Sequence, residues 1–185
     1  SNLDIDSGIV LSSGSIYDLF GPNANGGTTT SFFGAGDPTL DAVISPDPTL
    51  DAAVLEFDFI PNSDTISFKY VFGSEEYLEF VNSYNDAFGF FLSGPNPAGG
   101  NYINQNLAII PGTNTPVTIN NVNNIMNLSY YIDNGDGFTP PQNIDSTVIQ
   151  FDGFTTPMKA VAAVNCGATY HIKIVVADAV DDAWD

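Results

Sequence analysis

Apolar residues recur at every second position along two neighbouring stretches of this chain, and a period of two restricts those stretches to pleated strands. Over residues 53–60, Leu55, Phe57 and Phe59 alternate with Val54, Glu56 and Asp58 up to a Pro61-Asn62 turn signal. Over residues 65–72, Ile66, Phe68, Tyr70 and Phe72 mark one face, with Ser67, Lys69 and Val71 on the other. The short loop between the two runs predicts a hairpin. Further β-rich runs cover 87–92, 107–110, 117–119, 128–132, 147–151, 158–164 and 168–177. Their spacing predicts an all-β protein, an antiparallel, jelly-roll-like β-sandwich with long loops. Helical periodicity is confined to residues 15–20 and 75–81, so short helices at most are expected. The hexapeptide Asp37-Pro38-Thr39-Leu40-Asp41-Ala42 recurs as Asp47-Pro48-Thr49-Leu50-Asp51-Ala52. Two copies are too few for a solenoid and read as a local duplication in a loop leading into a strand.

The second constraint is charge. Asp and Glu number 22 against three Lys (Lys69, Lys159 and Lys173), no Arg and one His, a net charge of −19. A chain this acidic carries no footprint for nucleic acid, and its self-repulsion calls either for thinly spread carboxylates or for a neutralising cation. It is not a disordered tail, because 43% of its residues are hydrophobic and 12% aromatic, enough for a core. No linker-like shift divides the 185 residues, so a single domain over 1–185 is expected. There is no signal-peptide pattern and no apolar run long enough to cross a bilayer, and the chain reads as a mature segment. Cys166 has no partner for a disulfide and is expected as a free, packed thiol.

The densest local feature is Gly73-Ser74-Glu75-Glu76-Tyr77-Leu78-Glu79-Phe80, placed after a strand and followed by Asn85-Asp86 at the start of the next. A second acidic group, Asp178, Asp181, Asp182 and Asp185, follows the last strong strand. No lysine lies close in sequence to pair with either. Adjacent carboxylates raise one another's pKa unless a metal takes up the charge, and Ca²⁺ collects about six to eight such oxygens. The expected ligands are Glu75, Glu76, Asp86, Asp178 and Asp182, with Glu79, Asn85, Asp181 and Asp185 as alternates. Asp133-Asn134-Gly135-Asp136-Gly137 resembles the start of a calcium loop, but the twelfth position is Ile144 instead of Glu, so a turn is expected there.

Nothing points to catalysis. His171, the lone histidine, falls on the polar face of its strand, and Cys166 lies too near it along an extended chain to form a Cys–His pair. Paired carboxylates can hydrolyse glycosides, yet nothing singles out a pair among so many. No catalytic residues are assigned. Tyr77, Phe80, Tyr84, Tyr102 and Phe138 fall in loops, as a sugar or protein contact surface or as caps on the sandwich.

Several stretches together resemble the choice-of-anchor L domain of bacterial secreted and surface proteins. They are Val54-Leu55-Glu56-Phe57-Asp58-Phe59-Ile60-Pro61, Phe68-Lys69-Tyr70-Val71-Phe72-Gly73-Ser74-Glu75-Glu76-Tyr77 and the run from Tyr84 to Gly94, with Phe151-Asp152-Gly153-Phe154-Thr155-Thr156 and the run from Tyr170 to Asp178. The resemblance implies an extracellular β-sandwich module of an adhesin-like parent, of a kind common in the Bacteroidetes. In the family pattern another apolar strand follows the acidic turn after Ala177, where this chain reaches Asp185. A sandwich lacking that strand offers a neighbouring subunit an unpaired edge.

Three functions are expected in order. The first is a non-enzymatic, calcium-stabilised cell-surface module for adhesion. The second is a filament subunit joined by strand donation, and the third a lectin-like module. The partners are then other surface proteins, neighbouring subunits or glycans, and the location is extracellular or at the cell surface.

Overall fold

The computed structural model describes residues 3–139 and 149–183. Nine strands and one short α-helix follow one another as α1 (Pro38–Ile44), β1 (Thr49–Phe59), β2 (Thr65–Tyr70), β3 (Gly73–Ser74), β4 (Ala87–Pro95), β5 (Asn101–Asn106), β6 (Tyr131–Asp133), β7 (Gly153–Thr155), β8 (Met158–Ala163) and β9 (Tyr170–Ala179). One antiparallel layer has the order β1-β9-β4-β5. Opposite it, β2 pairs with β8, and β3, β7 and β6 form the order β3-β7-β6. Thr155 N donates to the Phe72 carbonyl and Phe72 N to Thr155 Oγ1, which carries the pairing across the break between β2 and β3. The fold is the expected all-β antiparallel sandwich.

β9 explains how the core is divided. Tyr170, Ile172 and Ile174 point toward the second layer, where they meet Tyr70, Phe72 and Met158. On its other face Val175, Ala177 and Ala179 pack under α1 with Leu40, Ile44 and Phe91. A strand covered on both sides reads as a nearly continuous apolar run, as this one does. Each buried Leu, Ile, Val or Phe contributes about 1.5–3 kcal/mol. Aromatic pairs join the layers, Phe68 to Phe90 with centroids 4.7 Å apart and Tyr70 to Phe88 at 5.0 Å.

The expected hairpin between residues 53–60 and 65–72 does not form. β1 pairs with β9 and β2 with β8, so the chain changes layer at Pro61. Gly167 N donates to the Pro61 carbonyl and Val164 N to the Asp64 carbonyl, tying this crossing to the one between β8 and β9. Across the layers Phe68 and Tyr70 of β2 meet Phe90 and Phe88 of β4, while on β1 Leu55 and Phe59 are half-buried and Phe57 stays exposed. Residues 107–119 also build less ladder than expected. Leu107, Ala108, Ile110, Val117 and Ile119 are buried, but Pro111, Gly112 and Pro116 interrupt the pairing. Of the 147–151 run, residues 147 and 148 lie outside the described residues, and Ile149 bridges to Phe20. Cys166 is exposed in the β8–β9 turn, not packed.

The helical expectation at 15–20 and 75–81 gives way to turns, and among the described residues the one α-helix forms at Pro38–Ile44 instead. Asp37 caps it by accepting from Thr39 N and Leu40 N, with Pro38 in the first turn. The second copy of the same hexapeptide enters β1 at Thr49. Two identical hexapeptides thus take different secondary structures, because β9 offers the second an open ladder, Thr49 opposite Ala179.

Candidate metal centre

Strand register brings the acids together. β4 and β9 pair Ala87 with Ala177, so one step further Asp86 faces Asp178. Asp178 continues the inward face of Tyr170, Ile172 and Ile174, and Asp86 the inward face of Phe88 and Phe90. Both are buried, at 4% and 1% exposed. Asp86 is held from two sides, by Ala179 N at 3.0 Å and by the Ser74 hydroxyl at 3.1 Å. The same Ser74 hydroxyl accepts from Glu76 N at 3.0 Å, so the turn after β3 carries Glu76 to the Asp86 and Asp178 side. Glu76 is fully buried, and its carboxylate lies against that of Asp86 with no N–H donor on either oxygen among the described residues.

Burial raises the Glu76 carboxyl far above the usual range, and the charges of Asp86, Asp181 and Asp178 add to it. Asp86 is also raised, first by burial, against the Ala179 and Ser74 hydrogen bonds that favour its charged form. The group therefore accepts a proton, or a cation, readily.

Glu75 faces elsewhere. Its Oε1 accepts from Thr28 N at 3.1 Å and Gln150 Nε2 at 3.2 Å, while its Oε2 has no partner among the described residues. Nearby, Asp152 Oδ1 accepts from Asn23 Nδ2 at 2.8 Å, and its Oδ2 is left without a partner among the described residues. Burial pushes Glu75 up to about 7. Asp152 is pushed up to about 8, by burial first and then by the charges of Glu75, Glu79 and Asp136.

The expected ligand set thus divides. Glu76, Asp86 and Asp178 come together, with half-buried Asp181 acting on Glu76 and Asp86. Glu75 belongs to a second group around Asp152. Asp182 is half-buried and meets Ser31 through its main-chain carbonyl. Among the alternates, Glu79 is exposed beside the second group, Asn85 accepts from Asn120 N through Oδ1, and Asp185 lies outside the described residues. Asp152, Asn23 and Gln150 escape a sequence reading because they meet across 127 and 129 positions of chain. Among the described residues, no three carboxylate, imidazole or thiolate side chains stand as a preassembled metal cage. A cation here would draw on main-chain and amide oxygens as well.

No side-chain cation is left for either group. Lys69 and Lys159 stand opposite each other on the exposed face of β2 and β8. Lys173 lies beneath α1, bound to Asp37 Oδ2. His171 pairs with Asp58 at 2.7 Å and Glu56 at 2.8 Å on the outer face of β1 and β9. The chain has no other Lys, Arg or His. Two other buried acids need no cation beyond these contacts, since Asp37 has Lys173 and Asp51 accepts from Phe32 N, Phe33 N and Gly34 N.

Tyr77, one of the loop aromatics, is core, 1% exposed with its hydroxyl on the Val122 carbonyl at 2.7 Å. Residues 133–139 form Asx turns, Gly135 N on Asp133 and Phe138 N and Thr139 N on Asp136. No helix among the described residues is long and apolar enough to cross a membrane.

The described residues form a two-layer antiparallel β-sandwich with Glu76, Asp86 and Asp178 buried in it. The chain belongs to the choice-of-anchor L domain family, whose model matches residues 1–185, and it is a surface-associated module. No curated protein and no solved structure matches it.

Proposed function

We propose that this chain is a non-enzymatic, calcium-stabilised module of a bacterial cell-surface protein, acting in adhesion or in contact with other surface molecules. One observation carries the calcium part. Glu76, Asp86 and Asp178 are buried at a junction of the two layers, and every Lys and the only His of the chain are engaged or exposed elsewhere. Burying ionised carboxylates without a counter-charge costs several kcal/mol each. Ca²⁺ relieves that cost with oxygen ligands alone, and it takes main-chain and amide oxygens as readily as carboxylates. The ion then acts as a bolt between the layers, joining the β3 turn to β4 and β9.

Calorimetry of the chain in excess calcium and in excess chelator tests this. The melting temperature is expected to fall on chelation, and coincident curves would refute calcium stabilisation. For the adhesion part, labelled protein is expected to bind glycan or matrix-protein arrays in calcium and to release in chelator.

A further inference from the structure

We propose that Glu75 and Asp152 form a second divalent-cation site, separate from the Glu76, Asp86 and Asp178 group and entered through an acidic surface pocket. This goes beyond the reading above and uses different residues, so either can fail alone.

The inner end of the site is built by two amides. Asn23 Nδ2 holds Asp152 Oδ1 at 2.8 Å, Gln150 Nε2 holds Glu75 Oε1 at 3.2 Å, and Gln150 Nε2 also reaches Asn23 Oδ1 at 3.2 Å. This clamp leaves one oxygen of each acid, Asp152 Oδ2 and Glu75 Oε2, without a partner among the described residues. Both residues are 1% exposed. An amide clamp that satisfies half of each carboxylate and stops leaves two buried acceptors that call for a cation, a proton or a water.

The pocket is the second observation. A cavity of about 240 Å³ is lined by Tyr77, Glu79, Asp133, Gly135, Asp136 and Thr139 among others. Asp133 pairs with Gly153, Asn134 N donates to the Asp152 carbonyl at 2.8 Å, and Asn23 Nδ2, which holds Asp152, also reaches the Gly135 carbonyl at 3.3 Å, which puts the Asp133 and Gly135 side of this lining beside Asp152. A third observation is Tyr131, 8% exposed, whose hydroxyl has no partner among the described residues while the charges of Asp133, Asp152 and Glu79 bear on it. Its ring is pressed against β7, because a Cβ on Gly153 would come within 2.7 Å of Tyr131 Cε2 and of Tyr77 Cβ. The unpartnered phenol is thus carried by a ring packed against Gly153, the residue that follows Asp152. The named unpartnered oxygens are two carboxylates and a phenol, without thiolate or imidazole, which selects a hard cation such as Ca²⁺ over Zn²⁺.

The alternative is a cation-free site that holds a proton shared by the two acids, or a water. Calorimetric titration of the whole chain with Ca²⁺ alone, and tyrosine-sensitised luminescence with Tb³⁺ alone, separate the two. The wild type is expected to bind two ions, D152N one and E76Q one. Two ions retained by D152N with unchanged affinities would overturn the second site, as would a wild type that binds one ion lost in E76Q and kept in D152N. One ion lost in D152N and kept in E76Q would support this site and refute the Glu76 centre, and no binding at all would refute both. Should D152N fail to fold, E79Q and D136N at the pocket mouth carry the test. Each is expected to weaken one ion at least tenfold and leave the other unchanged, and unchanged affinity for both ions would again overturn the site.

Discussion

Glu75 and Glu76 are adjacent in the chain and serve two different buried groups. Ser74 is the pivot, since its hydroxyl accepts from Glu76 N and donates to Asp86, directing Glu76 toward β4 and β9. Glu75 is left on the side of Thr28 and Gln150. Two like charges on neighbouring residues are thereby kept in separate surroundings, and each group gathers its own acids from distant parts of the chain.

The effect of replacing Glu76 should depend on calcium. In chelator, E76Q removes a fully buried carboxyl that must either carry an unpaired charge or take up a proton, and it should gain about 1–3 kcal/mol. In calcium at a hundredfold excess over Kd the wild type should gain about 2.7 kcal/mol that the variant lacks. At about 2–4 °C per kcal/mol for a chain of this size, the calcium-induced rise in Tm should be about 5–10 °C for the wild type and much smaller for E76Q. Scanning calorimetry in both conditions measures it, and equal responses of the two proteins would contradict the prediction.

Lys173 and Asp37 form a pair with side chains 17% and 8% exposed, and Lys173 Nζ also reaches Thr39 Oγ1 at 3.3 Å. Burial raises the Asp37 carboxyl, but the Lys173 hydrogen bond and the α1 N–H groups outweigh it and hold the carboxyl below its ordinary value. D37N keeps a good cap and strands the ammonium, while K173M strands the carboxylate. Either should cost about 3 kcal/mol, and D37A about 1 kcal/mol more through the lost cap. Urea midpoints at unchanged m values give these differences.

His171 makes part of the stability pH-dependent. Its hydrogen bond to Asp58 first, and that to Glu56, raise it above 6.5. The folded state thus favours the imidazolium, whose stabilisation is complete below the unfolded value and lost as pH rises through the raised one. Both acids are on the surface, so screening limits the effect to about 0.5 kcal/mol. H171N should be less stable than the wild type at about pH 5 and equal to it at about pH 9. Denaturant titrations at the two values decide it, and a constant gap would assign the loss to packing.

The alternation at Leu55, Phe57 and Phe59 and at Ile66, Phe68 and Tyr70 was enough to read the layers, because a period of two has one burial solution. It was not enough to read the pairing. Which strand sits beside β1 depends on β9, more than 100 residues away, and on crossings anchored at Pro61 and Asp64 that leave no local mark. Asp86 and Asp178 were legible as ligand candidates because each ends an inward strand face. Asp152 was not, since the Phe151-Asp152-Gly153 turn looks like any surface turn until Asn23 and Gln150 close over it. The repeated hexapeptide has the same cause on a smaller scale, one capping motif overridden by a neighbouring ladder.

That override makes the two copies a controlled comparison. In the second copy Asp51 has φ +47, sits at the β1 bulge and accepts Phe32 N at 2.8 Å, Phe33 N at 3.2 Å and Gly34 N. Its side chain satisfies the N–H groups of residues 32–34 and, with Asp51 N on the Gly34 carbonyl and Ala52 N on the Ala35 carbonyl, holds that segment to the edge of β1. D51A removes three charge-assisted bonds and leaves Ala in a left-handed conformation, so a loss of about 2–4 kcal/mol is expected. D51N tolerates the same φ and keeps one acceptor oxygen, so it should fall between D51A and the wild type. Asp47, half-buried, opens the same copy, and D47A should stay within about 0.5 kcal/mol of the wild type. Thermal unfolding of the three variants ranks them, and D47A as damaging as D51A would mean that the duplication, not the bulge, sets the cost.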